Sequence, residues 1–285
     1  MTLTRREVAG LLRRSGIRPS RALGQNFVVD PNTVRRIARL AGVGPGDRVV
    51  EIGAGLGSLS LALAETGASV VAVELDRYVV PVLREVVEPA GVRVVEGDAL
   101  RLDWDAVLDA PGPGAVRPDA PWALVANLPY NVATPLVLTL LERAPRIGRM
   151  LVMVQREVGE RLAAGPGEPA YGAVSVKVAY RAEARVVGRV PPSVFLPQPR
   201  VESALVSVVR RPAPAVAADE TRLFSLVEAG FAQRRKMLRR ALAGVVGDEV
   251  FAAAGVRPEA RAEELGVEAW GRLAECATAA GPSPS

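Results

Sequence analysis

The sequence predicts an α/β fold, a Rossmann-like parallel sheet, followed by a small all-helical C-terminal domain. Three observations lead to it. Between Asp47 and Gly148, continuous runs of Val, Ile and Leu alternate with helix-like segments, the pattern of a parallel sheet covered on both faces. The first of these runs ends in a glycine-rich strand-to-helix turn, 51-EIGAGLG-57. Beyond 212-PAPAVAADE-220 the composition shifts, and only helical periodicity remains.

Taken in chain order, 48-RVVEIGAG-55 reads as an apolar strand ending in glycines, and 58-SLSLALAETG-67 as a helix opened by Ser and closed by Gly. Next come the strand 69-SVVAVELD-76, the helix 78-YVVPVLREVV-87 and the strand 92-VRVVEGDAL-100. The Pro/Gly-rich stretch 109-DAPGPGAVRPDAPW-122 reads as a surface loop before the strand 122-WALVANLPY-130. The segment 149-RMLVMVQREVGERLAA-164 reads as a fifth strand running into a helix, and 171-YGAVSVKVAY-180 as an amphipathic helix. Two late strands, 184-ARVVGRV-190 and 203-SALVSVVRR-211, flank the Pro-rich loop 191-PPSVFLPQPRVES-203. The linker at 212–220 leads to a helical pattern over 221-TRLFSLVEAGFAQRRKMLRRALAGVV-246 and around Trp270, and the tail 279-AAGPSPS-285 is expected to be disordered. The expected domains are therefore 1–211 and 212–285.

Composition narrows the chemistry. A chain of 285 residues, 49% of them hydrophobic, buries enough core for one large domain and one small one. No apolar run reaches the roughly 18 residues of a membrane span, so a cytoplasmic protein without a membrane partner is expected. The single cysteine, Cys276, forms no internal disulfide and no zinc site by itself. Histidine is absent, which excludes Ser-His-Asp and Cys-His catalysis, His-ligated metals and imidazole acid-base chemistry; no metal is expected. The net charge of +5 favours a polyanionic partner.

The turn 51–57 brings the backbone close to any ligand at the carboxyl edge of the sheet. A dinucleotide fingerprint would need Gly where Ser58 stands, and the glycines here fall as G-x-G-x-G at 53, 55 and 57. A tightly packed turn with no ligand is the competing explanation. Glu74 ends the second strand, where a carboxylate accepts both hydroxyls of a ribose, and Asp98 ends the third, where it could accept from an adenine amine. Either acid alone reads best as a solvated loop carboxylate, but with the glycine turn they mark three successive strand ends and outline an adenosine-shaped pocket. At the fourth strand end, 127-NLPY-130 joins an amide acceptor, a ring-locked backbone and an aromatic face, a set suited to a planar ligand carrying an exocyclic amine.

The order E-I-G-A-G-L-G, V-E-L-D, G-D-A-L and N-L-P-Y resembles class I methyltransferases that use S-adenosylmethionine and methylate exocyclic amines. With 23-LGQNFVVDPNTVRRI-37, 127-NLPYNVATPL-136, 153-MVQREVGERL-162, 191-PPSVFLPQPRVESA-204 and 231-FAQRRKMLRRAL-242, the chain is similar to the KsgA (RsmA) family of small-subunit ribosomal RNA adenine dimethyltransferases over about residues 20–245. The resemblance implies S-adenosylmethionine as cofactor and transfer of methyl groups to the N6 amines of adjacent adenines of 16S rRNA, in the assembling 30S subunit, by a monomer. It places Asn26 and Val28 at the methionine end of the cofactor with Gly53 beneath, Gly55 among the cofactor-binding residues, Glu74 on the ribose, Asp98 on the adenine and Asn127 beside the transferred methyl. Val28 stands where the family usually has Leu, a mild departure that a backbone contact would survive. Phe195 is expected to pack against the target adenine, although the core is the competing place for it.

In this chemistry an aromatic amine, a poor nucleophile, is held with its lone pair aimed at the methyl. The side-chain carbonyl of Asn127 and the backbone carbonyl of Leu128 accept its hydrogens, Pro129 fixes the direction of Leu128, and Tyr130 stacks on the base for about 1–3 kcal/mol. Phosphate contacts are expected from Arg234, Arg235, Lys236, Arg239 and Arg240, read as a basic helix on which Arg235 and Arg239 share a face. The stretch 12-LRRSGIRPSRALGQNF-27 is a second basic segment, expected beside the cofactor entrance, and Arg156 and Arg161 near the fifth strand could extend the same surface.

The rival readings are a 23S rRNA adenine methyltransferase of the antibiotic-resistance type, a DNA adenine methyltransferase, and an assembly factor without activity. The single proline of 127-NLPY-130 speaks against the second, and intact Glu74, Asp98 and Asn127 against the third.

Overall fold

The computed structural model describes residues 2–20, 22–110, 117 and 120–279. Most of the 109–122 loop and of the 279–285 tail lies outside them, so the readings of those segments stay as expectations. The chain divides into two compact units, Met1–Gly159 with Val186–Arg210, and Glu160–Arg185 with Arg211–Ser285.

The first unit is built on β1 (Phe27–Val28), β2 (Arg48–Ile52), β3 (Ser69–Glu74), β4 (Arg93–Glu96), β5 (Trp122–Asn127), β6 (Ile147–Gln155), β7 (Ala182–Val190, which enters the unit at Val186), β8 (Phe195–Leu196) and β9 (Ser203–Arg210). Seven of the strands form one sheet in the order β4-β3-β2-β5-β6-β9-β7. β2 to β6 pair in parallel, and β9 runs antiparallel to β6. Chain order runs outward from β2 to β4 on one side and from β5 to β6 on the other. The order therefore reverses between β2 and β5, the place where open α/β sheets hold ligands beyond their carboxyl ends. Burial accounts for the apolar runs, since every residue of β3 is buried and β2 is buried after its first residue. The helix Pro31–Ala41 shows why the boundaries fall where they do: Asp30 caps the Thr33 N–H, Pro31 opens the first turn, and Gly42 ends it at φ 59°.

The helices Arg5–Arg14, Pro31–Ala41, Trp104–Asp109 and Ala133–Arg143 of this unit escaped the sequence reading. Arg5–Arg14 starts at a reciprocal cap, Thr4 with Glu7, and buries Val8, Leu11 and Leu12 against Phe27, Val79 and Val82. The T-x-x-E signature at 4–7 was there to be read. Arg5 then donates to the Ser193 carbonyl at 2.6 Å and so ties this helix to the Pro-rich loop.

The second unit is helical, with Ala173–Arg181, Glu220–Ala232, Leu238–Ala241, Asp248–Ala254 and Val267–Ala279 packed around Trp270, Phe251 and Leu223. Two expectations need correction here. The division is not a single cut near 212, because 160–185 also belongs to this unit. Tyr171, Val176 and Tyr180 pack into the same core as the C-terminal helices, and the Tyr171 hydroxyl donates to the Leu265 carbonyl at 2.7 Å, a long-range pairing that no local pattern reports. Nor is 221–246 one helix. The helix ends at Ala232, Lys236 N–H turns back to the Gln233 carbonyl, Met237 bridges Arg261, and a short helix restarts at Leu238.

Candidate active site

The carboxyl ends of β2, β3 and β5, the turn after β4 and the segment 23–28 enclose one pocket, whose walls include Asn26, Val28, Gly53, Gly55, Glu74, Asp98, Asn127, Leu128, Pro129 and Tyr130. Its non-atom space, open mouth included, is about 1190 Å³. The fold thus brings together ten residues that lie as far as 104 positions apart (26 to 130). Gly55 shows the need for a missing side chain: its φ is 58°, and a Cβ there would lie 2.9 Å from the Phe27 ring.

Glu74, 7% exposed, accepts the Gly55 N–H at 2.7 Å on one oxygen and those of Leu75 and Asp76, at 2.9 and 3.0 Å, on the other. Burial pushes its carboxyl above the usual range, the three backbone donors oppose this, and the neighbouring Asp76 charge adds to it. Three of the carboxylate's four lone-pair sites are taken, and the oxygen that accepts only Gly55 keeps one for a ribose hydroxyl. Asp98 accepts the Leu100 N–H at 3.0 Å, and its other oxygen lies 3.6 Å from the exposed Arg101 guanidinium.

Asn127 donates its side-chain N–H to the Asn26 backbone carbonyl at 3.0 Å. This bond settles which way round the amide sits, and what the side chain then has to offer is its carbonyl, an acceptor. Leu128 N–H is anchored on the Met153 carbonyl at 3.0 Å. Tyr130, half-buried, shares a hydrogen bond of 2.8 Å between its hydroxyl and that of Ser203; burial raises its phenol, and the Ser203 bond opposes the rise. Across the mouth, Gln25 donates to Asp76 at 2.8 Å and Asn131 to the Ala22 carbonyl at 3.1 Å, so segment 22–26 is fastened to both walls.

Glu51 is a wall residue to which sequence reasoning gave no role. It is 1% exposed, Ser60 donates to it at 2.5 Å, and burial pushes its carboxyl up to about 8 against that bond, with the Glu74 charge adding to the rise. The signal was an acid inside the apolar run R-V-V-E-I.

Other expectations fail. Phe195 does not line the pocket: it is fully buried, pairs with Val28 across β1 and β8, and packs among Val190, Met153 and Leu205. The competing reading of this aromatic as core is the one the structure bears out, because two short paired strands turn the ring inward. The basic run is not one helical face, since the turn at 233–237 separates Arg235 from Arg239. Arg234 is engaged by Glu263 at 2.6 Å and by the Pro169 carbonyl at 3.0 Å, and Arg239 lies 3.7 Å from Glu259. Arg235, Lys236 and Arg240 are exposed with no ion pair among the described residues. Arg156 pairs with Glu202 at 3.4 Å. Among the described residues, no group of three or more metal-ligating side chains occurs, and no helix is long and apolar enough to cross a membrane.

A sheet that reverses order at β2 and β5, with a glycine turn and acids at successive strand ends, defines a class I methyltransferase dependent on S-adenosylmethionine. Solved structures share this fold. The 23S rRNA methyltransferase ErmE superposes with a TM-score of 0.66 at 26% identity, over 89% of this chain and 100% of its own. A dimethyladenosine transferase from Plasmodium falciparum gives 0.71 at 21% identity, over 87% of this chain and 95% of its own. The family model of ribosomal RNA adenine dimethylases matches residues 18–279, and the chain belongs to that family. A relative from Kineococcus radiotolerans, named Ribosomal RNA small subunit methyltransferase A, is 50% identical over 277 residues, covering 95% of this chain and 90% of its own. The protein is accordingly an enzyme, an S-adenosylmethionine-dependent rRNA adenine dimethyltransferase.

Proposed function

We propose that this enzyme converts adjacent adenines of 16S rRNA to N6,N6-dimethyladenosine within the assembling small ribosomal subunit, acting as a cytoplasmic monomer without a metal ion. The observation that carries the chemistry is the Asn127 amide, locked by the Asn26 carbonyl so that an acceptor is left at the strand end nearest the reversal point. S-adenosylmethionine supplies, when bound, a methyl group on a sulfonium, an electrophile with a good leaving group. Glu74 holds the ribose, Asp98 the adenine amine, and Asn26, Val28 and Gly53 the methionine end, with Gly55 and Glu51 in the same pocket wall.

The residues 127–130 act on the other partner. The Asn127 and Leu128 carbonyls accept the two N6 hydrogens and hold the nitrogen lone pair towards the methyl, and Tyr130 gives the flipped base a face. Orientation does the work that a base would otherwise do, and the proton that N6 gives up on methylation passes to solvent water, so the absence of histidine is no obstacle. Phosphates meet two basic surfaces, each within its own unit. One is the turn with Arg235, Lys236 and Arg240, and the other is the N-terminal segment with exposed Arg6, Arg13, Arg14 and Arg18. The helical unit thus serves RNA contact.

The choice of the small subunit is supported by a relative at 50% identity that carries the small-subunit name, against 26% for the 23S enzyme. The test is transfer of labelled methyl to immature 30S and to 50S subunits in parallel, with mass spectrometry of the nucleosides. Dimethyladenosine in 30S alone is expected, and product in 50S would reassign the substrate.

A further inference from the structure

The loop 191-PPSVFLPQPRVES-203 carries a serine at its end for which neither fold nor pocket accounts. Ser203 is fully buried on β9, opposite Gln155 of β6, and the one hydrogen bond of its hydroxyl among the described residues is the 2.8 Å bond to Tyr130 Oη. Tyr130 lies outside any strand or helix, three residues past the end of β5, and lines the pocket. A loop aromatic fixed only at its Cα can rotate about both side-chain torsions, and stacking requires one ring plane. The hydroxyl is the atom farthest from the backbone, so a bond there fixes the tip while the chain fixes the root.

The geometry points to Ser203 as a positioning residue for methyl transfer: from the rigid pair β6–β9 it sets the plane of the Tyr130 ring on which the target base stacks. This rests on the reading of Tyr130 as the stacking face. Ser203 touches neither partner of the reaction; it acts through the tyrosine. Hydrogen bonds between buried neutral hydroxyls change an equilibrium by about fivefold to tenfold when one partner is removed, and that is the size of effect to look for.

The experiment compares the full-length enzyme with Ser203→Ala, Tyr130→Phe, their double variant and Tyr130→Ala. It measures kcat/KM for small-subunit RNA and the Kd for S-adenosylmethionine. Ser203→Ala and Tyr130→Phe should each lower kcat/KM about fivefold with the cofactor Kd unchanged, and the double variant should lose no more than either single one. If Ser203→Ala does not fold, Tyr130→Phe removes the same bond from the solvent-accessible side and carries the test. A Ser203→Ala enzyme with full kcat/KM, or losses that multiply in the double variant, would overturn the inference. Full activity in Tyr130→Ala would overturn the stacking role itself, a separate failure.

Discussion

The pocket wall at 127–130 and the basic run at 233–240 look alike in sequence, each a short cluster of unusual residues in an otherwise apolar stretch. They differ in what fixes them. The pocket residues follow strands whose register is set along their length, and backbone or buried side-chain partners then hold each polar group: Asn26 for Asn127, Met153 for Leu128, Ser203 for Tyr130. The basic residues sit where a helix breaks, and acids 20 or more positions away decide which of them stay free, as Glu263 does for Arg234 and Glu259 for Arg239. A parallel sheet converts local sequence into position at its carboxyl edge; a helix surface leaves charge to the tertiary context.

That contrast can be broken from either side. The largest effect on cofactor binding should come from Glu74→Ala, which removes a carboxylate already set by three backbone donors. Calorimetry should show the cofactor Kd rising about 10- to 100-fold, as for the loss of hydrogen bonds to a charged group. An unchanged Kd would mean that the wall acid is structural.

Glu51 predicts a pH dependence of stability. Its folded value of about 8 stands above the usual 4.5, so between those values the folded state binds the extra proton. Its contribution is therefore fully present below about 4.5 and is lost as pH rises through about 8, by at most about 1.4 kcal/mol per pH unit. Denaturant melts across this window should show the decline in the wild type and a flatter profile in Glu51→Gln.

In the helical unit, Gly230→Ala would set a Cβ 2.5 Å from the Trp270 ring. Overpacking of this kind costs about 1–3 kcal/mol, visible as a lower melting temperature. The smallest effects belong to single charges of the basic turn. Replacing Arg235, Lys236 or Arg240 by Gln should reduce the slope of log affinity for RNA against log salt by about 0.7 each, and Arg234→Gln should reduce it less, because Glu263 already occupies that guanidinium. Equal slopes for all four would remove the distinction between free and paired charges.

The same contrast explains what was legible. The seven strands of the main sheet, the glycine turn, and the place of Glu74, Asp98 and Asn127 at strand ends followed from periodicity, since β-sheet register propagates from local pattern. Phe195 could not be placed that way, because its inward turn depends on pairing with Val28, 167 positions earlier by number (195 to 28). The membership of 160–185 in the helical unit likewise depends on Tyr171 and Tyr180 meeting helices far along the chain. The break after Ala232 ran against a strong helical periodicity and was set by the bridge between Met237 and Arg261. Tertiary context overrode local preference in each case.

The central claim is that Asn127 serves the target amine and leaves cofactor binding to the acids around it. It is tested most directly by single-turnover methyl transfer to immature small subunits with the wild type and Asn127→Ala, alongside the Kd of each for S-adenosylmethionine. The expected result is a cofactor Kd within a few-fold of wild type and a transfer rate lower by about 10²- to 10³-fold, the scale of losing one preorganised polar contact to the reacting centre. Transfer at the wild-type rate, or a rate loss matched by an equal loss of cofactor affinity, would contradict it.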